Sequence, residues 1–349
     1  MAETVWSTFS FDELSLCVTK RNNIKMKLSV DKTLTYIVSA LAEGHFCSGE
    51  VFAEQLGLSR TAVSNHIKSL NELGLDIYSV QGKGYKLAKP LILLNKESIL
   101  VQLKQAVSDK LIVLNVIDST NQYIKDHQAK LPNGFVCLAE AQTSGRGRRG
   151  RNWVSPYGAS LYLSMHWAFT MGYQALNGLS LVVGVAVIEA LKKTGILHAK
   201  VKWPNDIYVH GKKLAGILIE VEGQIGAACS GVIGIGINVD LPDSMTQIDQ
   251  PFTDMQSLLQ HNIDRNKFAA LLIDELLVTM STFEKSGLEP FIAPWQAADV
   301  YANKPIKLLI GQNTIQGIAR GIDNSGAILI ETPEGLRAYQ GGEISVRPA

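Results

Sequence analysis

The sequence predicts an α+β protein of several domains, and three observations carry that prediction. Near the N-terminus, helical periodicity broken by a glycine at a tight turn is followed by a short hairpin. The middle of the chain mixes strand and helix patterns whose turns favour antiparallel neighbours. The last part alternates short strands with glycine-containing turns. The chain has 349 residues, long for one compact domain, and its 46% hydrophobic and 19% charged residues describe a well-cored globular protein.

Residues 1–27 show no clear periodicity and are read as an extension, either disordered or a mis-called start with Met26 as the initiator. The first convincing helix runs over Val30–Leu41, with Leu34, Ile37, Val38 and Leu41 at helical spacing and Gly44 as its stop. A second covers Gly49–Leu56 and ends at Gly57; a third begins after Ser59, a good N-cap. The spacing of Ala53, Gly57 and Val63 lets two helices cross closely, as a helix-turn-helix requires. Ile77–Val80 and Tyr85–Leu87, joined by Gln81-Gly82-Lys83-Gly84, then read as a hairpin, the wing of a winged helix. On the third helix Val63, Ile67 and Leu70 face inward. That leaves Arg60, Thr61, Ser64, Asn65 and Lys68 outward, next to Ser59, and these types read base edges and phosphates in a major groove. Lys83 and Lys86 on the wing would reach phosphates. A net charge of +1 gives the whole chain no basic field, so DNA binding would rest on this local surface and on two half-sites held by a dimer.

Pro90 marks the first boundary, giving domains at 28–90, 91–298 and 299–349. In the central part, strands are expected near Leu111–Ile117, Phe135–Ala141, Ser160–His166, Lys200–Trp203, Ile207–Val209, Ala215–Val221 and Gly231–Val239. Helices are expected near Ser119–Gln128, Ala175–Lys193 and Lys267–Lys285. Turns near Gly211 and Gly223 favour adjacent antiparallel strands over repeated βαβ units. From Lys304 onward, turns at Gly311-Gln312-Asn313, Asp323–Gly326 and Pro333-Glu334-Gly335 separate the short strands of a small β-barrel.

The stretch Asn152–Ile188 carries no Asp, Glu, Lys or Arg. Pro156, Gly158, His166, Gln174 and Asn177 interrupt it, and a span needs about 20 predominantly apolar residues, so it reads as a buried strand and a core helix. The four cysteines are scattered without disulfide or metal spacing, and no signal peptide pattern opens the chain. A cytoplasmic protein without a membrane partner is the expectation.

Gly145-Arg146-Gly147-Arg148-Arg149-Gly150-Arg151 is a loop of glycines and always-charged planar forks, suited to wrapping a small anion. It matches G-x-G-x-x-G but runs into Trp153-Val154-Ser155-Pro156, which cannot open a helix, so a dinucleotide-binding turn is excluded. Lys202-Trp203-Pro204-Asn205-Asp206 and Lys213-Leu214-Ala215-Gly216-Ile217-Leu218 follow it. Together with Asp118-Ser119-Thr120-Asn121, Gln142, Gly234-Ile235-Gly236-Ile237-Asn238 and Gly341-Gly342-Glu343-Ile344-Ser345, these motifs make the chain resemble the bacterial bifunctional biotin protein ligases that also repress a biotin operon. The resemblance runs from about Val30 to the C-terminus.

It implies a biotin/lipoyl-ligase-like central domain, an SH3-like C-terminal barrel, and ATP with Mg²⁺ as co-substrate. The implied chemistry is activation of biotin as biotinyl-5′-AMP and transfer to a lysine of the biotin carboxyl carrier protein of acetyl-CoA carboxylase. Biotinyl-5′-AMP would also serve as corepressor, with the homodimer bound to biotin operator DNA. Ser119, Thr120, Asn121, Gln142, Arg146, Gly147, Arg148 and Lys213 would bind biotin; helix capping is the competing reading of Ser119 and Thr120. Arg146, Arg148, Lys202, Asn205, Lys213, Asn238, Phe252 and Arg347 would meet the nucleotide. Lys213, Arg148 and Asp206 would carry the chemistry, with Lys213 neutralising charge between carboxylate and α-phosphate. Gly234 and Gly236 would allow close packing around the ligand or simply belong to a core strand. The segment Asp240–Pro251 departs from the family pattern, lacking an arginine- and valine-rich loop, which puts the strength of corepressor coupling in question. Two rivals stand beside this reading: a lipoate or octanoate ligase, and a ligand-sensing regulator without catalysis.

Overall fold

The computed structural model describes residues 32–105, 109–169, 172, 176–223, 229–242, 247–341 and 344–349. The extension at 1–27, the Gly342-Glu343 pair and part of the Asp240–Pro251 loop lie outside them. By contact the chain divides into two compact units, one ending at Leu91 and one running from Ile92 to Ala349.

The first unit holds α1 (32–42), α2 (Gly49–Leu56), α3 (Arg60–Glu72) and the antiparallel pair β1 (Ile77–Val80) and β2 (Gly84–Leu87). Leu34, Ile37, Val38 and Leu41 are buried with Phe52, Val63, Ile67 and Leu70, so the helical periodicity marks the core face. Ser59 caps α3 by accepting from the Ala62 amide at 3.1 Å. Cys47 and Tyr85 exchange backbone hydrogen bonds of 2.9 and 2.8 Å, which ties the start of α2 to the hairpin.

The second unit is built on a seven-stranded sheet in the order β3-β4-β5-β9-β8-β7-β6. Its strands are β3 (Leu111–Ile117), β4 (Val136–Gln142), β5 (Ser160–Phe169), β6 (Lys200–Lys202), β7 (Asp206–Val209), β8 (Lys212–Gly223) and β9 (Cys229–Asn238). In this sheet only β3 and β4 run parallel; the remaining neighbours are antiparallel, with short turns joining β6 to β7 and β7 to β8. Side chains alternate across a strand, so each strand has two characters. Leu161, Leu163, Met165, Ile217, Ile233, Ile235 and Ile237 join the large apolar cluster with helices α6 (Leu179–Lys193) and α8 (Arg265–Ser286). The alternate positions carry Tyr162, Ser164, Gly216, Glu220, Gly234 and Gly236, and there α5 (Thr120–His127) packs Ile124 against Cys137 and Val232. The uncharged stretch thus becomes β5 and α6, and no described helix is long and apolar enough to cross a membrane.

Three helices were not anticipated: α4 (Lys96–Gln102), α7 (Met255–Leu259) and α9 (Glu289–Ala298). The first two are short and held by caps, Asn95 accepting from Ser98 N and Asp254 from Ser257 N, both at 2.7 Å. The third contains Pro294, which argues against a helix on propensity, yet burial of Phe291 and Trp295 overrides it. Strand β5 also runs three residues past its expected end, because its whole length pairs with β9. The β-rich end comprises β10 (Pro305–Ile310), β11 (Asn313–Ile322), β12 (Ile328–Thr332), β13 (Gly335–Tyr339) and β14 (Ile344–Pro348), ordered β13-β12-β11-β10-β14. Ile306, Leu308, Ile328 and Val346 belong to the same apolar cluster as α6 and α8.

The segment entering this unit is sewn to the sheet by a buried ion pair. Arg265 meets Glu140 at 2.6 Å and donates to the Ile92 carbonyl at 2.7 Å, while Glu140 accepts from the Leu94 amide. Both charges are paired and hydrogen-bonded, which is the condition for burying them.

Candidate active site

Strand register assembles the site floor. Tyr162, Gly236 and Gly216 lie side by side in one cross-strand row, and Ser164, Gly234 and Leu218 in the next. Two adjacent glycines leave a slot, and the indole of Trp153 fills it. A Cβ on Gly236 would stand 2.5 Å from the ring and one on Gly216 would stand 2.9 Å away. Gly234 does the same for Asn121, whose Oδ1 would be 2.2 Å from an added Cβ. The glycines therefore admit side chains of the site itself, which resolves the earlier choice between ligand packing and a plain core strand.

Above the second row sits a closed polar pocket. Gln142 Oε1 accepts from Thr120 N at 2.9 Å and lies 3.1 Å from its hydroxyl, and Gln142 Nε2 donates to Ser155 at 3.0 Å. Ser164 lies at 2.7 Å from Thr120 Oγ1 and 2.5 Å from Asn121 Oδ1. Asn121 Nδ2 donates to Glu220 at 2.8 Å. Ser119 occupies the N-cap position of α5 but makes no cap bond; it is buried and faces the cavity, so capping does not explain it.

The arginine loop lies over the same space. Its tightest turn falls on Arg149 and Gly150, both with positive φ, and Gly147 N donates to the Arg151 carbonyl at 2.7 Å. Arg146 meets Glu220 at 3.4 Å, and Arg148 donates to Asn205 Oδ1 at 2.9 Å. Asn205 also donates to the Ile217 carbonyl at 2.7 Å, so its amide serves to hold Arg148.

At the far end Lys213 and Asp206 form an ion pair of 2.8 Å, with the ammonium 5.3 Å from the Trp153 ring centre. Lys202, buried against Tyr208 with its ammonium 3.1 Å from the phenol oxygen, is pushed down to about 8 by burial, Asp206 opposing and Arg347, Lys213 and Arg151 adding to the fall. Burial likewise lowers Arg148, again opposed by Asp206. Positive charge is thus concentrated where an anion would relieve it. Lys213 N and O bond to Pro251 O and Thr253 N at 3.0 and 2.9 Å, which brings Phe252 to the cavity; Asn238 supports that segment by donating to Thr253 O at 3.0 Å. Ser345, Val346 and Arg347 of β14 close another wall.

Most of these groups line one cavity of about 620 Å³, while Ser155, Ser164, Tyr208 and Glu220 stand outside its lining and touch Gln142, Thr120, Lys202 and Asn121. Every residue proposed for biotin or nucleotide reaches it, although Asn205 and Asn238 spend their amides on the protein. Sequence reasoning gave no role to Trp153, Ser164, Tyr208 or Glu220. For Ser164 and Glu220 the available signal is strand parity, since both share a face with Gly234 and Gly216.

In the first unit, Arg60, Thr61, Ser64, Asn65 and Lys68 are exposed on α3, while Ser59 uses its hydroxyl as a cap. Arg60 is ion-paired with Glu50, and Lys68 lies 4.0 Å from Glu72. Lys83 and Lys86 stand 5.7 and 5.4 Å from the ring centre of Phe46.

Residues 113–238 match the Biotin/lipoate A/B protein ligase family, residues 33–86 an HTH domain, and residues 301–347 the Biotin protein ligase C terminal domain. The chain is 45% identical over 334 residues to the bifunctional ligase/repressor BirA of Escherichia coli (strain K12), covering 95% of this chain and 99% of that one. It is 33% identical over 337 residues to the protein of the same name from Bacillus spizizenii, covering 92% and 100%. Among solved structures, the biotin protein ligase from Aquifex aeolicus in complex with biotin and ATP superposes with a TM-score of 0.61 at 30% identity, covering 69% of this chain and 99% of that one.

Proposed function

Since the chain belongs to the biotin/lipoate A/B protein ligase family and, within it, to the bifunctional ligase/repressors, we infer that it is an ATP-dependent biotin protein ligase that also represses transcription. It forms biotinyl-5′-AMP and transfers biotin to a lysine of the biotin carboxyl carrier protein. The observation that carries the reading is the meeting in one cavity of a neutral polar pocket with a cationic end.

The division of labour follows. Thr120, Asn121 and Gln142, with Ser119, suit a neutral ureido head, because they offer donors and acceptors without net charge. One orphan feature fits a ligand: Trp153 Nε1, buried without a partner at the cavity. In the first step a carboxylate oxygen of biotin attacks the α-phosphorus of ATP and pyrophosphate leaves. Both reactants are anions, so their approach depends on Arg146, Arg148, Lys202 and Lys213. Arg148 and Lys213 converge on Asp206, the position that suits charge developing between carboxylate and phosphate. In the second step the acceptor amine attacks the acyl carbon and AMP leaves with the bonding pair.

Mg²⁺ bound with ATP would supply further neutralisation of the phosphates. Asp206, the carboxylate at the cationic end of the cavity, is the residue that would hold it. Phe252 and Arg347 are proposed to cover the nucleotide.

Biotinyl-5′-AMP as corepressor, a homodimer on biotin operator DNA, a cytoplasmic setting and domains at 28–90, 91–298 and 299–349 complete the proposal. The backbone pairing of Lys213 with Pro251–Thr253 supports the coupling, because it joins the catalytic lysine to the end of the Asp240–Pro251 loop. The test combines carrier labelling with a gel shift on the operator, each with and without biotin and ATP. Labelling with a ligand-dependent shift is expected. Labelling of the carrier with lipoate in preference to biotin would overturn the substrate, and absence of any shift would overturn the repressor role.

A further inference from the structure

We propose that Glu220 is a positioning residue that sets the specificity of this site for a cyclic urea, by fixing which face of the Asn121 amide the pocket presents; this rests on the biotin reading. Glu220 lies on β8, two residues beyond Leu218 in the row that faces the cavity, with its side chain 24% exposed. Its Oε2 receives Asn121 Nδ2 at 2.8 Å and stands 3.4 Å from Arg146; its Oε1 lies 3.4 Å from Lys125.

An asparagine amide has two ends of nearly equal shape and opposite hydrogen-bonding sense. A carboxylate cannot donate, so the end of Asn121 that faces Glu220 must be nitrogen. The oxygen is thereby turned to Ser164, which donates to it. Gly234 completes the clamp, since Asn121 lies flat on its bare Cα. An amide oxygen has two lone pairs, and Ser164 uses one. The other is available to an N–H of the substrate, which a cyclic urea has and a dithiolane lacks. Were the amide reversed, its N–H would oppose the urea N–H. The same carboxylate holds Arg146 at the base of the loop, so head-group recognition and loop position share one anchor.

Glu220→Gln keeps size and shape but can face Asn121 with either end. The expected result is a rise of about tenfold in KM for biotin, the scale of one charge-assisted hydrogen bond, with a much smaller change in kcat. Discrimination against a biotin analogue whose urea is replaced by a cyclic carbamate should shrink by a similar factor. The double variant Asn121→Asp/Glu220→Gln restores a carboxylate–amide pair and offers oxygen to the substrate in either orientation. Its KM for biotin should return to within about threefold of the starting value. Unchanged biotin KM and unchanged discrimination in Glu220→Gln would overturn the proposal, as would a lowered melting temperature without either change. If the single variant does not fold, the double variant decides: recovery supports the role and a tenfold rise overturns it. Failure of the unmodified chain to use biotin at all would sink the ligase reading instead.

Discussion

Lys213 makes the sharpest prediction at the scale of single residues. It is largely buried, ion-paired with Asp206 at 2.8 Å and aimed across the Trp153 ring. Lys213→Met keeps the length and removes the charge. Pyrophosphate release on mixing with biotin and ATP should fall at least about a hundredfold, the scale of losing one preorganised charge at a transition state. Release within a few-fold of normal would remove Lys213 from the chemistry. Lys202 gives the pH dependence. Its folded value, about 8, lies below that of an ordinary lysine. Above 8 the folded chain sheds a proton that the unfolded chain keeps, so this group adds stability as pH rises from there into the lysine range. Phosphate binding has the opposite sense, because it needs the ammonium. KM for ATP should climb above pH 8 and stay flat in Lys202→Gln; a parallel climb in that variant would assign the titration elsewhere. The residue types of these lysines and of the arginine loop were legible because the chemistry demands charge. Glu220 and Ser164 were not, since one acid and one hydroxyl in strands look like any others until register sets them beside Asn121.

Elements explain why the floor of the site is glycine. Gly234 stands where a methyl group would meet Asn121 Oδ1 at 2.2 Å, inside the hard-sphere limit. Gly234→Ala should raise KM for biotin about tenfold or more by expelling the Asn121 side chain. Since β9 pairs on both edges, the strand should persist and far-ultraviolet circular dichroism should not change. An unaltered KM would mean that Asn121 yields without loss. At this scale periodicity was a good guide: α2 and β3 run where the pattern has them. It failed at α9, where Pro294 hides a helix that exists because Trp295 and Phe291 bury large rings, and at α4 and α7, too short to show a period.

For the whole molecule, the division by contact at Leu91 and Ile92 has a thermodynamic counterpart. All cavity residues belong to the unit Ile92–Ala349. Biotin with ATP should raise the unfolding temperature of that unit by mass action, about 2.7 kcal/mol at a hundredfold excess over Kd, and leave the unit ending at Leu91 where it was. Calorimetry resolves this; one transition that moves as a whole would show that the two units unfold together. The β-rich end has its own five-stranded sheet, as its turn pattern predicts, and its Ile306, Leu308 and Val346 also share an apolar cluster with α6 and α8. Contacts of that range leave no local trace in a chain, so the organisation was legible by segment and not by how segments merge.

The indole of Trp153 gives the site an optical reporter of its own. It lies on the bare strands at Gly216 and Gly236, 5.3 Å from a cation and with its N–H unmatched. Indole emission responds to nearby charge and to hydrogen bonding at nitrogen. Any anion that draws Lys213 away, or any acceptor that meets Nε1, should therefore shift the emission colour, and substrate arrival could be followed in real time without attaching a dye.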